Sequence, residues 1–244
     1  LAWKWWKLRE NEDTKKTDVF VFIMNNKAYI LLNTSGEALH KRWYRKKTSE
    51  APIKESLAAW LVLLSWWKFK DNFYDIFCGS WTIAIEAILI AKNIAPWLNR
   101  SFAFNHFPIT PDWLLENEKK LARHKIFEWD YKIFASDIDE EILEIAKENA
   151  KNTWVADYIN FSKKDFREYI WVNLNWTLVS NPPYWLRLKP DDLENLYKDI
   201  NTILMNSKDL NWWIISSYEK FSWKNYKNRK LYNWWELAYF YRKI

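Results

Sequence analysis

The chain has 244 residues and a formal net charge of +6, from 37 Lys and Arg against 31 Asp and Glu; that length holds one large domain, or one domain with a fragment of a second. No apolar run reaches the roughly 18 residues that a membrane span needs, and the lone cysteine, Cys78, excludes a disulfide framework or a cysteine-based zinc cluster. The basic excess suits a polyanionic partner, while the start, Leu1-Ala2-Trp3-Lys4, has no signal-peptide core and no initiator methionine, so an upstream portion is expected to be missing.

Residues 18–32 read as two short strands, alternating through Val19-Phe20-Val21-Phe22-Ile23 and Ala28-Tyr29-Ile30-Leu31-Leu32 about a turn at Asn25-Asn26-Lys27. A basic stretch from His40 to Lys47 follows. From Ser49 the period becomes helical, with Ile53, Leu57, Trp60, Leu61 and Leu64 on one face. Strands and helices then alternate. Strands are predicted at 73–77, 132–136, 159–162, 177–180 and 212–217, and helices at 81–92, 139–152 and 191–204. The tail, 230–241, reads as a hairpin turning at Asn233-Trp234. Residues 93–131 interrupt the alternation as an insertion rich in Pro, Asn and aromatics. The alternation predicts βαβ units and a mostly parallel sheet.

The composition holds 2 Gly and 20 Trp, where ordinary glycine usage gives about 17 in this length. Tight turns, helix C-caps and left-handed positions need a residue without Cβ. The tryptophans fall at such places. Trp234 sits in a hairpin turn, where Asn-Gly is the strongest short signal. Trp154 follows a helix end, and Trp81 stands in a strand-to-helix loop. Most tryptophans are therefore read as glycine sites of the natural protein, written as Trp through a UGA codon that a few bacterial lineages translate as glycine. Trp67 and Trp113 are the ones retained as candidates for true tryptophan.

Three segments carry chemistry. In Asp75-Ile76-Phe77-Cys78-Gly79-Ser80-Trp81-Thr82 a strand ends in a glycine loop that opens a helix, so a ligand can approach backbone N–H groups at the helix N-terminus. The spacing is neither the dinucleotide fingerprint nor a P-loop. Asp75 would repel phosphates and suits a cationic ligand. In Phe134-Ala135-Ser136-Asp137-Ile138-Asp139 an acid closes the next strand, where doubly wound sheets bind ribose hydroxyls. Asp139 is equally a helix N-cap. Asp165, after the third strand, either accepts from an adenine amine or is a solvated loop acid. The third segment is Ser180-Asn181-Pro182-Pro183-Tyr184-Trp185. Its prolines fix a turn and remove two donors, leaving the Asn181 carboxamide and the Pro182 carbonyl to grip an exocyclic amine, with Tyr184 as a stacking face for an extruded base.

With tryptophan read as glycine, Leu39-His40-Lys41-Arg42-Trp43-Tyr44-Arg45 and Glu50-Ala51-Pro52-Ile53-Lys54-Glu55 closely resemble the RlmL/YpsC type of bacterial rRNA methyltransferase. So do Asp75 to Glu86 and Asn93-Ile94-Ala95-Pro96-Trp97-Leu98-Asn99-Arg100-Ser101-Phe102. These are THUMP-domain-associated enzymes that methylate a guanine amino group of large-subunit rRNA. The resemblance implies a Rossmann-like class I α/β fold, a doubly wound, mostly parallel seven-stranded sheet with a C-terminal antiparallel hairpin. It implies that residues 1–45 end a THUMP RNA-binding domain and that 46–244 form the catalytic domain, with 93–131 inserted. S-adenosylmethionine would be the cofactor and 23S rRNA the partner, in the cytoplasm, with no metal and no membrane. Asp75, Cys78, Gly79, Ser80, Trp81, Thr82, Asp137, Asp165 and Asn181 would bind the cofactor. Asn181, Pro182, Pro183 and Tyr184 would hold the base, and Lys41, Arg42, Arg45 and Lys46 the RNA. A literal indole at Trp81 or Trp185 departs from this pattern, and would fill the methionine pocket or crowd the base pocket.

Methyl transfer from a sulfonium has a good leaving group, so the protein mainly positions and desolvates the amine. The histidines, His40, His106 and His124, show no metal-ligand spacing. Rival readings are another Asn-Pro-Pro-Tyr amino methyltransferase acting on adenine N6 in DNA, on tRNA or on protein glutamine; a non-catalytic RNA-binding module; and a nucleotide-binding oxidoreductase, which the glycine spacing disfavours. The basic stretch favours RNA.

Overall fold

A computed structural model of the chain describes residues 17–44, 53–79, 81–183, 190–218, 221, 226–233 and 236–243. In chain order its strands and helices are β1 (Val19–Met24), β2 (Lys27–Leu32), α1 (Glu55–Leu64), β3 (Phe73–Asp75), α2 (Thr82–Ala91), α3 (Leu114–Arg123), β4 (Ile133–Asp137), α4 (Glu140–Asn152), β5 (Ile159–Lys163), β6 (Trp176–Ser180), α5 (Pro190–Asn206), β7 (Leu210–Ser216), β8 (Tyr226–Asn233) and β9 (Glu236–Lys243). The chain divides into two compact units, residues 1–43 with 96–125, and residues 44–95 with 126–244.

The first unit holds the β1–β2 hairpin, paired from Val19↔Leu32 to Met24↔Lys27. Asn25 and Asn26 turn it with φ of 50° and 56°, the left-handed pair that a type I′ turn requires and that asparagine tolerates. Arg100 donates to the carbonyls of Ser35 and Glu37 at 3.5 and 2.6 Å, tying residues 96–125 to the segment after the hairpin. This unit also contains α3, a helix within the stretch that the sequence reads only as an insertion. Its signal was Leu114, Leu115 and Leu121 among Glu and Lys, a 3.6-residue pattern that the neighbouring prolines and asparagines obscured.

The second unit is built on a seven-stranded sheet of order β5-β4-β3-β6-β7-β9-β8. The first five strands are parallel, and β9 runs antiparallel to both β7 and β8. Chain order runs outward from β3 to β4 and β5, then resumes on the other side at β6. A topological switch point therefore lies between β3 and β6, the place where open α/β sheets open a crevice beyond their strand ends. β3 is shorter than the sequence predicts, because Ile76 and Phe77 already form the turn into the loop. The helical period assigned from Ser49 begins as α1 at Glu55, and residues 45–52 lie outside the described residues. Nine of the ten α2 residues are buried, including Glu86, whose carboxylate accepts from the Tyr44 hydroxyl at 2.8 Å. Asp139 caps α4 by accepting the N–H groups of Glu141 and Ile142 at 2.9 and 3.2 Å. No described helix is long and apolar enough to cross a membrane.

Helix ends expose a backbone requirement. After α4, Trp154 N–H donates to Lys151 O and Val155 N–H to Ala150 O, a Schellman pair that places Trp154 at C′ with φ of 57°. After α2 the same pair of bonds closes on Asn93 at 56°. Trp66, at 52°, follows α1, its N–H donating to Leu63 O at 3.3 Å. Trp81 and Trp176 have φ of 67° and 78°. The left-handed region costs a residue with a Cβ on the order of 1–2 kcal/mol, and Trp66 and Trp154 are 76% and 75% exposed, so their rings recover little by burial. Trp66→Gly and Trp154→Gly should each raise unfolding free energy by about 1 kcal/mol, read from urea melts of the single variants. Loss of stability in both would show that the rings contribute more than the backbone strain costs.

Candidate active site

Asp75 ends β3 and is 1% exposed. Its Oδ1 accepts the hydroxyl of Ser180, the last residue of β6, at 2.5 Å. Ser180 Oγ in turn accepts the Phe77 N–H at 3.0 Å. Asp75 Oδ2 is buried and, among the described residues, has no hydrogen-bond partner. Leaving a buried carboxylate oxygen unpaired is costly, and the cost appears as proton affinity. Burial, reinforced by the nearby Asp137 carboxylate, raises the Asp75 pKa from 3.8 to about 7, against the lowering effect of Ser180 and the Phe77 N–H.

On the neighbouring strand, Asp137 spends both oxygens on backbone. Oδ2 accepts the Gly79 N–H at 2.9 Å and Oδ1 the Asp139 N–H at 3.1 Å. One carboxylate thus ties the end of β4 to the loop after β3. The Cys78 N–H completes the tie at Ser136 O, 3.0 Å. Gly79 has φ of 49°, and a Cβ built on it would meet nothing within 4 Å, so space is open beside the loop. The Cys78 thiol is buried, which raises its pKa, and the Asp75 and Asp137 charges raise it further. Thr82 opens α2 and is buried.

The Trp81 indole is fully buried and stacks on Phe161 of β5, with ring centroids 3.6 Å apart. The third glycine of nucleotide-binding loops commonly serves such close packing of helix on strand. Among the described residues the ring's Nε1 has no hydrogen-bond partner.

Asp165, after β5, N-caps a 3-10 turn through the Arg167 N–H at 2.9 Å, and Glu168 answers by accepting the Asp165 N–H at 3.0 Å. Lys164 N–H donates to Asp137 O at 2.9 Å, holding this turn beside β4. Asn181, Pro182 and Pro183 continue from β6 on the far side of the switch point, with Pro182 buried. The strand ends thus bring together Asp75, Cys78, Gly79, Asp137 and the Ser180–Pro183 run. Lys41 and Arg42 belong to the first unit; Lys41 pairs with Glu37 at 2.9 Å, and Arg42 donates to Leu39 O at 3.0 Å. Ser80, Arg45, Lys46, Tyr184 and Trp185 lie outside the described residues. Sequence reasoning gave no role to Ser180, although a hydroxyl at a strand end beside a buried acid was its signal. It also missed Tyr169, whose hydroxyl lies 3.2 Å from Ser136 Oγ under the loop.

Residues 42–229 match the model of the RMKL-like methyltransferase domain. The chain belongs to that family. YpsC of Bacillus subtilis (strain 168), which carries the provisional name of RNA methyltransferase, is 38% identical over 226 residues, covering 88% of this chain and 57% of YpsC. The ribosomal RNA large subunit methyltransferase K/L of Shewanella sp. (strain ANA-3) is 41% identical over 165 residues, 65% of this chain and 23% of that protein. The crystal structure of SMU.472, solved in complex with SAH, superposes with a TM-score of 0.85 at 32% identity, covering 95% of this chain and 62% of the other. The chain thus spans little more than half the length of YpsC and of SMU.472, and less of the K/L enzyme.

The raised Asp75 pKa has a consequence for stability. A carboxyl whose folded pKa exceeds its unfolded value stabilises the fold fully below the unfolded pKa and loses that contribution as pH rises through the folded one. The window runs from 3.8 to about 7. Asp75→Asn should therefore be more stable than the parent by a margin that grows through this window and levels above it, at an order of 1–4 kcal/mol. Thermal melts from pH 4.5 to 8 measure it; a margin independent of pH would contradict the buried, half-partnered carboxylate.

Proposed function

We propose that this chain is the catalytic part of an enzyme that transfers a methyl group from S-adenosylmethionine to the exocyclic amine, N2, of a guanine in large-subunit rRNA. The observation that carries the reading is the pairing across the switch point: Asp75, buried with one oxygen unpartnered among the described residues, is bonded to Ser180, which ends β6 and leads into Asn181-Pro182-Pro183. S-adenosylmethionine is the methyl donor of this family's chemistry, and the residues fit it. An unpaired buried carboxylate oxygen suits the ligand's ammonium, and the open side of Gly79 admits a ligand close to the loop backbone. This reading assigns Asp137 to the ribose hydroxyls and Asp165 to the adenine amine.

When bound, the cofactor supplies an electrophilic methyl on a sulfonium. The protein's own share is placement. Asn181 Oδ1 and the Pro182 carbonyl accept the two protons of the exocyclic amine, favour a pyramidal nitrogen, and aim its lone pair. Tyr184 gives the extruded base a stacking face. Water excluded from the crevice leaves the amine desolvated, and its surplus proton leaves after transfer. Support for an RNA substrate comes from the name of the Shewanella relative and from the basic stretch Lys41, Arg42, Arg45 and Lys46. Residues 1–45 are read as the end of a THUMP domain, residues 46–244 as the catalytic domain, and the cytoplasm as the place of action.

The reading includes glycine at most tryptophan positions in the natural protein. Four of the seven non-glycine residues with positive φ among the described residues are tryptophans, the others being asparagines. Trp67 differs: it is buried, and its Nε1 donates to Asp71 O at 2.9 Å, the housing of a true indole. Mass spectrometry of the protein made in its own host decides each position. Glycine at 66, 81, 154 and 176 is expected, and tryptophan at all four would overturn the recoding.

Asn181→Ala should lower methylation of rRNA lacking the modification by on the order of a hundredfold or more, with cofactor affinity within a few-fold of the parent. A tritiated methyl donor and calorimetry read the two quantities. Equal methylation by the variant would remove Asn181 from the base site. Trp81→Gly should tighten cofactor binding, because the loop then relaxes from a strained backbone and a forced ring stack; binding no tighter than in the tryptophan chain would count against a glycine requirement at 81.

A further inference from the structure

Ser180 makes two bonds whose directions constrain one another. A hydroxyl has one proton to donate. Its oxygen already accepts the Phe77 N–H, so its single proton goes to Asp75 Oδ1. Oδ1 is thereby committed and Oδ2 is the free acceptor, buried with no partner among the described residues. When Asp75 is protonated, the proton therefore resides on Oδ2, the oxygen that faces no donor.

We propose that Ser180 is a positioning residue that commits Asp75 Oδ1 and presents Oδ2 to the cofactor's ammonium, so that cofactor capture expels a proton from Oδ2. This rests on the reading of Asp75 as the ammonium receptor. The proton balance is complete: the protonated carboxyl and the ligand ammonium become a carboxylate–ammonium pair, and one proton passes to buffer. Because Ser180 immediately precedes Asn181, the same strand end sets the Asp75 carboxylate and carries the base-gripping amide.

The groups that act on Asp75 are few. Ser180 reaches it from β6, Asp137 from β4, and the Phe77 N–H from the turn after β3; none is cationic. The Cys78 thiol lies in the field of Asp75 and Asp137 and is held neutral by burial. With a pKa near 7, the free carboxyl carries about 0.9 proton at pH 6 and about 0.5 at pH 7. Binding of an ammonium should release that amount.

The test is calorimetry of S-adenosylhomocysteine binding to the full chain, with tryptophan and with glycine at 81, in buffers of different ionisation enthalpy at pH 6 and 7. The parent should release about 0.9 and about 0.5 proton. Ser180→Ala removes a donor to the ionised form, so it should bind about tenfold more weakly at pH 7 and still release about 0.9 proton there. Ser180→Thr, which keeps the hydroxyl, should restore both values. Asp75→Asn should release none and bind weakly. If Asp75→Asn binds as the parent does, the ammonium reading itself fails. If Asp75→Asn loses binding while Ser180→Ala keeps the parent's affinity and proton count, the positioning role of Ser180 alone is overturned. Absence of binding with either residue at 81 overturns both.

Discussion

A carboxylate buried at a strand end with one oxygen unsatisfied is the constraint on which the site turns. Among the described residues no cation acts on Asp75, and burial is the main cause that lifts its pKa from 3.8 to about 7. Such a group persists where function uses it. The surrounding structure is arranged to keep it there. Ser180 pins one oxygen, Asp137 pins the loop through Gly79, and the parallel ladders of β3 with β4 and β6 hold the three strand ends level. In the proposed reading, the cofactor's ammonium completes the set that the fold leaves open.

A second constraint is the backbone's demand for left-handed residues. Each switch between helix and loop must satisfy orphan carbonyls, and the Schellman pairs after α2 and α4 do so only with a residue at positive φ. Asparagine meets that demand at Asn93 with little strain, and tryptophan meets it poorly at Trp154. The same demand recurs at Trp81, where the indole is forced onto Phe161. Strain at Trp66 and Trp154 is a matter of stability. At Trp81 it falls on the loop proposed to receive the cofactor, where the residue's identity bears on that proposed role.

Much of this was legible in the sequence because it obeys local rules. The period change from 2 to 3.6 located β4, α4, β5, β6 and β7 to within a few residues, and Asp139 announced its own helix as an N-cap. The hairpin β1–β2 followed from alternation about Asn25-Asn26. Asp75, Asp137 and Asn181 were visible as chemistry at strand ends. What sequence could not show was partnership. The Ser180 hydroxyl reaches Asp75 across 105 positions, and the Asp137 carboxylate reaches Gly79 across 58; only the sheet order makes them neighbours. Helix α3 was hidden by the prolines and asparagines around it. The stack of Trp81 on Phe161 of β5 joins residues that no local pattern brings together.

The central claim, that the unpartnered oxygen of Asp75 receives the cofactor's ammonium at the β3–β6 switch point, is most directly tested by a crystal structure of the chain with S-adenosylhomocysteine. The account predicts the ligand's amino nitrogen at about 3 Å from Asp75 Oδ2, its sulfur beside the loop of Cys78 and Gly79, and the face toward Asn181 free for a base. A ligand whose amino group contacts other residues, with Asp75 Oδ2 still unpartnered, would contradict it.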